Sequence, residues 1–182
     1  MIKHEDRAKR HGLLINITGP GKGKTTSALG VCLRALGWNW QVAVIQFIKN
    51  DSETGERKFA AASGLPFEIF SMGAGFSWRK GGCLSEDKQC AENAWSKAEE
   101  YLAGGKTDLL VLDELNIALD KKYLLTDKII AGLRGRPHWM HVIITGRNAP
   151  PQLIEVCDLV SEIHEVKHPF NAGISAQKGI EF

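Results

Sequence analysis

The chain has 182 residues, 43% of them hydrophobic and 24% charged, which allows a sizeable core in a single domain over residues 1–182. A formal net charge of +2 gives no ground for a nucleic-acid or anionic-membrane partner. No apolar run approaches a membrane span, and the charged opening MIKHEDRAKRHG lacks the apolar stretch of a secretory signal, so a cytoplasmic protein is expected.

Residues 1–11 read as a polar leader. LLINIT (Leu13 to Thr18) is a short apolar run bounded by Gly12 and Gly19, the pattern of a buried strand. Lys24 to Leu36 predicts a helix that stops at Gly37. QVAVIQFI (Gln41 to Ile48) is a second strand, and FEIFSM (Phe67 to Met72), after Gly64-Leu65-Pro66, is a third. Ser85 to Ala103 is the longest helical segment, with Ser85 at the N-cap, Glu86 and Asp87 at the positive dipole end, and Gly104-Gly105 as the stop. LLVLDEL (Leu109 to Leu115) is the most apolar strand. A helix over Thr126 to Leu133, a strand over His141 to Gly146, a short helix over Pro150 to Cys157 and an extended Leu159 to Val166 complete the order. Apolar strands alternating with helices predict a parallel sheet covered on both faces, with ligands bound beyond the carboxyl ends of the strands.

None of Cys32, Cys83, Cys90 and Cys157 lies in a C-x-x-C pair, so no disulfide framework is expected. The pairs His138/His141 and His164/His168 lack further ligands at zinc spacing and read as ordinary histidines.

Function concentrates at TGPGKGKTT, residues 18–26. The second half of the phosphate-loop pattern G-x-x-x-x-G-K-[ST] is met by Gly23, Lys24 and Thr25, but its first glycine falls on Thr18, with Gly19 one residue late. Gly19, Gly21 and Gly23 let backbone N–H groups approach an anion, and the following helix directs its positive end at the same point. Lys24 supplies charge for phosphate oxygens and Lys22 a second charge. The Thr25 hydroxyl suits Mg²⁺, and Thr26 can donate to phosphate. A Mg-nucleotide site also needs an acid at a strand end, which LLVLDEL provides as Asp113 and Glu114, either of which can meet the metal directly or through water. Arg147, after the strand HVIIT, is placed for phosphate or nucleotide. To this point the residues describe a Mg-nucleotide protein, whether kinase, ATPase, switch or binding module.

Three further stretches narrow the reading: VIQFIKN (Val44 to Asn50), FSMGAGFSW (Phe70 to Trp78) and VKHPFNAGISAQKGIEF (Val166 to Phe182). With GKGKTT, LDEL and IITGRNAP, they resemble the ATP:corrinoid adenosyltransferases of the CobA/CobO type from about Gly12 to Phe182. The resemblance implies a P-loop, RecA-like α/β three-layer sandwich with a mostly parallel central sheet. It implies transfer of the 5′-deoxyadenosyl group of ATP to Co(I) of a corrinoid (cobalamin, cobinamide or cobyrinic acid a,c-diamide), with release of triphosphate. The offset loop is associated in that family with ATP bound in reversed polarity, its γ end in the loop. The resemblance assigns Lys24, Thr25 and Glu114 to catalysis and Mg²⁺ to Thr25 with Glu114 or Asp113. Phe76 and Trp78 match aromatics that line the corrinoid and are implicated in removing the lower ligand of Co(II). A homodimer and a reduced flavodoxin or flavin donor are the family expectations. The sequence departs from the family at Pro20, where the pattern commonly has Asn, at Asn171, where an acid is common, and in a short leader that implies a reduced lid.

Overall fold

The computed structural model describes residues 5–50, 54–75 and 84–182. Its centre is a sheet of six strands: β1 (Leu14–Thr18), β2 (Val42–Gln46), β3 (Phe67–Ser71), β4 (Leu109–Asp113), β5 (His141–Thr145) and β6 (Leu159–Glu162). They lie in the order β3-β2-β4-β5-β1-β6, and every pairing is parallel, so the expected α/β sandwich is present with a wholly rather than mostly parallel sheet.

Side chains alternate along each strand, and the two sets feed separate cores. Val42, Val44, Leu109, Val111 and Ile143 meet α2 (Lys24–Gly37) through Ala28, Cys32, Ala35 and Leu36, a spacing that lines one helical face. Ala43, Ile45, Leu110, Leu112, Val142 and Ile144 face α4 (Leu84–Gly104), α6 (Thr126–Arg134) and α7 (Pro151–Glu155) on the other side. Trp95 of α4 is fully buried there among Ala91, Ala94 and Ala98, small residues that let the helix lie close to the sheet.

Three helices were not legible as such: α1 (Glu5–Lys9), α3 (Gly55–Ala62), which buries no residue, and α5 (Leu115–Asp120). The strand expected over Leu109 to Leu115 ends at Asp113, because Glu114 turns into the left-handed region at φ 63° and Leu115 already begins α5. Helix α4 begins at Leu84, so Ser85 lies in its first turn instead of capping it. The final extended segment is a strand only to Glu162, with a 3₁₀ turn at Pro169–Ala172.

Helix α1 is fixed at the amino ends of the strands. Arg7 and Arg10 both pair with Asp108 at 2.8 Å, Arg7 stacks on Trp139, and Arg10 stacks on Trp40. The described part of the leader therefore lies at the opposite end of the sheet from the loop of residues 19–25. A cavity of about 780 Å³, lined in part by Gln41, Phe67, Lys97 and Tyr101, also opens at that end. Volume alone does not locate the site. The loop of residues 19–25 and the acids Asp113 and Glu114, singled out in the sequence, lie instead at the carboxyl ends of β1 and β4.

Candidate active site

The loop from β1 to α2 turns at Gly19 (φ 98°) and Gly23 (φ 114°), conformations that favour glycine. Gly19 and Gly21 have a second cause. Residues 162–164 cross the loop so closely that a Cβ on Gly19 would lie 2.5 Å from the Ile163 carbonyl oxygen, and one on Gly21 2.7 Å from the His164 carbonyl carbon. The Gly21 N–H donates to the Ile163 carbonyl at 2.7 Å, so this donor braces the loop against the tail and is not turned inward as expected. Gly23 caps α2 with no side-chain hydrogen bond, which leaves the helix N-terminus without a built-in anion.

Lys24 is buried, and its ammonium folds back onto the carbonyls of Gly19 (2.9 Å) and Gly21 (2.5 Å). Burial lowers its pKa, opposed by the charge of Glu114. Lys22 points outward and pairs with Glu181 of the tail, and Thr26 is exposed.

Asp113 is fully buried, yet both oxygens are held. Oδ1 accepts from the hydroxyls of Thr25 (2.7 Å) and Thr145 (2.8 Å), Oδ2 accepts from the Gln46 amide (3.1 Å), and Lys49 lies 3.5 Å from Oδ2. Thr145 in turn accepts the Glu114 N–H at 2.9 Å, which fixes the strained Glu114 backbone beside it. Glu114 Oε2 is buried with no hydrogen-bond partner, and burial together with the neighbouring Asp113 raises the carboxyl pKa to about 7. An orphaned buried carboxylate oxygen on Glu114 and a Thr25 hydroxyl whose hydrogen is committed to the adjoining Asp113 supply the hard oxygen donors that fit Mg²⁺. Among the described residues no group of three or more His, Cys, Asp or Glu is arranged to hold a metal, so the remaining ligands would come from nucleotide and water.

Arg147 is exposed just past β5, and its charge acts on both Lys24 and Glu114, so it faces the same rim. The structure thus brings Gly19, Gly21, Gly23, Lys24, Thr25, Asp113, Glu114 and Arg147 together at one sheet end. Phe76 and Trp78 lie outside the described residues. Sequence reasoning missed Gln46, Lys49, Asn16, Thr145 and Asn116. The Asn116 amide donates to Asn16 (2.9 Å) and to the Gly146 carbonyl (3.1 Å), which braces the β5 exit. The signal available was position: Gln46, Asn116 and Thr145 sit at or just beyond strand ends adjoining the acid pair.

Comparison with known proteins shows what the chain is similar to. Residues 10–182 match the family model described as ATP:corrinoid adenosyltransferase BtuR/CobO/CobP. A corrinoid adenosyltransferase of Pseudomonas aeruginosa is 45% identical over 175 residues, covering 94% of this chain and 84% of that protein. One from Escherichia coli K12 is 40% identical, covering 94% of this chain and 86% of that protein. The corrinoid adenosyltransferase CobA of Salmonella typhimurium is 38% identical, covering 96% and 87%.

Proposed function

The chain belongs to the ATP:corrinoid adenosyltransferase family, and from that premise we propose how its site carries the reaction, a step of adenosylcobalamin formation or salvage. ATP is bound with its γ end in the loop of residues 19–25 and its 5′ carbon toward the corrinoid. Co(I) attacks C5′, the Co–C bond forms, and the C5′–O bond breaks with its electron pair leaving on triphosphate. Co(I) is a strong nucleophile, so the chain need not supply a base. What it supplies is charge and alignment.

Lys24 exchanges the loop carbonyls for phosphate oxygens, and the α2 N-terminus adds its positive end. Thr25 donates its hydroxyl hydrogen bond to Asp113, which orients it, and its lone pairs together with the Glu114 carboxylate would hold Mg²⁺. Bound Mg²⁺ supplies neutralisation of the triphosphate charge. Arg147 contacts phosphate, while Phe76 and Trp78 line the corrinoid. Lys22 reaches phosphate only after leaving Glu181. A homodimer, a cytoplasmic setting and a reduced flavodoxin or flavin donor complete the proposal. Among the described residues no helix is long and apolar enough to cross a membrane.

The observation that carries this reading is Lys24, Thr25, Asp113 and Glu114 converging at one sheet end, with Glu114 Oε2 orphaned. The test is anaerobic incubation with Mg-ATP and chemically reduced cob(I)alamin. Adenosylcobalamin, recognised by its light-sensitive spectrum, together with intact triphosphate is expected. ADP and phosphate without a carbon–cobalt bond would overturn the proposal.

A further inference from the structure

Charge at the γ end of ATP does not act directly on the bond that breaks. In the orientation proposed above, the C5′–O bond lies at the α-phosphate, the end remote from Lys24, and negative charge develops there as triphosphate departs. A cation is needed at that end.

Strand order provides one. From β1, which carries the loop, the sheet runs through β5 and β4 to β2. That is three strand spacings, about 14 Å. Asp113 and Glu114 leave β4 in between, and Lys49 follows β2 on the far side. Lys24 and Lys49 therefore flank the acid pair from opposite sides, and the charges of both act on Glu114. The Lys49 ammonium lies 3.5 Å from Asp113 Oδ2 and 3.4 Å from Glu56 Oε1, both long contacts, with about a quarter of the side chain exposed at the rim.

Its backbone is fixed. The Phe47 N–H donates to the Asp113 carbonyl (2.9 Å), the Gly73 N–H to the Lys49 carbonyl (2.9 Å) and the Gly75 N–H to the Ile48 carbonyl (2.8 Å). A Cβ on Gly73 would fall 2.2 Å from the Ile48 carbonyl carbon, so only glycine lets the β3 exit lie this close to the β2 exit. Lys49 is thus held between the acids of the nucleotide site and the segment 72–75 that leaves β3.

We infer that Lys49 is a further catalytic residue, the cation that meets the α-phosphate and stabilises the oxygen released from C5′. The inference rests on the proposed function and its ATP orientation. No proton moves: Lys49 stays an ammonium, cobalt supplies the electron pair of the new bond, and the released oxygen keeps the pair of the old one.

The test uses the full-length protein with saturating chemically reduced cob(I)alamin, titrating Mg-ATP for wild type, Lys49→Gln and Lys49→Arg, with a melting curve for each. An interaction made chiefly in the transition state appears in kcat. Lys49→Gln is expected to lose at least thirtyfold in kcat with less than threefold change in the KM for ATP, and Lys49→Arg to recover kcat to within tenfold of wild type. A kcat for Lys49→Gln within threefold of wild type overturns the inference. So does an equal loss in both variants, which marks a packing role. If Lys49→Gln fails to fold, Lys49→Arg decides: a folded arginine variant with less than one-tenth of wild-type kcat overturns it. Wild type that yields no adenosylcobalamin fails the proposed function itself, a result distinct from an active wild type indifferent to Lys49.

Discussion

The hydroxyl of Thr25 donates to Asp113 Oδ1 at 2.7 Å across 88 positions of sequence. This bond joins the loop after β1 to the end of β4, although β5 lies between the two strands. It also sets the two neighbouring acids apart. Asp113 has both oxygens engaged, whereas Glu114 has an oxygen with none.

Thr25→Ala removes the hydrogen bond that Asp113 accepts and, in the proposed site, the lone pairs offered to Mg²⁺. Turnover should fall by roughly 10²–10³, the scale for removing one preorganised group at a developing charge. Thr25→Ser keeps the hydroxyl and should stay within about tenfold, given that a serine is the usual alternative in such loops. Steady-state rates with cob(I)alamin decide it. An alanine variant as active as wild type would remove Thr25 from the site.

The Lys24 ammonium lies on two carbonyls of the loop after β1, and in the proposed function it passes to phosphate oxygens. Lys24→Ala should lose turnover by about 10²-fold or more. It should also weaken binding of inorganic triphosphate, measured by calorimetry. Unchanged triphosphate affinity would show that the loop does not hold the leaving group.

The strands and the loop were legible because their signals are local. Runs such as LLINIT and HVIIT are apolar and β-branched, and Gly-Lys-Thr follows the first of them directly. Helix α3 was not legible because it is only eight residues long, fully buries none of them and packs on the sheet through little more than Phe59 and Ala60. Helix α5 was hidden because LDELNIALD continues the apolar run of β4, and only the turn at Glu114 separates the two. Gln46 is a common residue in a strand. Its role comes from register, which sets it beside Asp113 on one side and Ser71 on the other, and register depends on residues far away in sequence. Gly21 was read as an inward donor, yet the tail that takes its N–H arrives from more than a hundred residues away.

Glu114 gives a pH prediction for the nucleotide-free protein. Burial and Asp113 raise its pKa from 4.5 to about 7, so between those values the folded state binds more protons than the unfolded one. Stability therefore falls as pH rises through this window, and the cost is fully present above about pH 7. Glu114→Gln removes it, on the order of 2–3 kcal/mol, or several degrees in Tm at pH 8, and should make little difference at pH 4. The same variant should lose activity. A melting temperature at pH 8 equal to that of wild type would contradict the buried, unpartnered carboxylate.

The amino-terminal clamp gives the opposite sign. Burial alone would raise the pKa of Asp108, but hydrogen bonds from Arg7, the Gln41 N–H and Arg10 outweigh it and hold the carboxyl below its usual 3.8. Its contribution is present above the unfolded value and is lost as pH falls through the lower folded one. His141 acts in the same direction at higher pH. Burial, then Arg10 and Arg136, lowers the pKa of the ring, and its Nδ1 accepts the Leu13 N–H at 3.2 Å. Below about pH 6.5 the unfolded chain takes up that proton first. Acid should therefore weaken the protein in two stages, one below pH 6.5 from His141 and one below about pH 4 from Asp108. Urea melts as a function of pH separate them: His141→Gln should abolish the first stage and leave the second. Asp108→Asn should cost about 3 kcal/mol at pH 7, because it leaves two partly buried guanidiniums without their carboxylate. It should also open α1 to proteolysis while leaving the KM for ATP within about twofold, since the clamp and the phosphate loop lie at opposite ends of the sheet. A large rise in that KM would mean that the clamp reaches the nucleotide through the strands, and the separation of the two ends would be wrong.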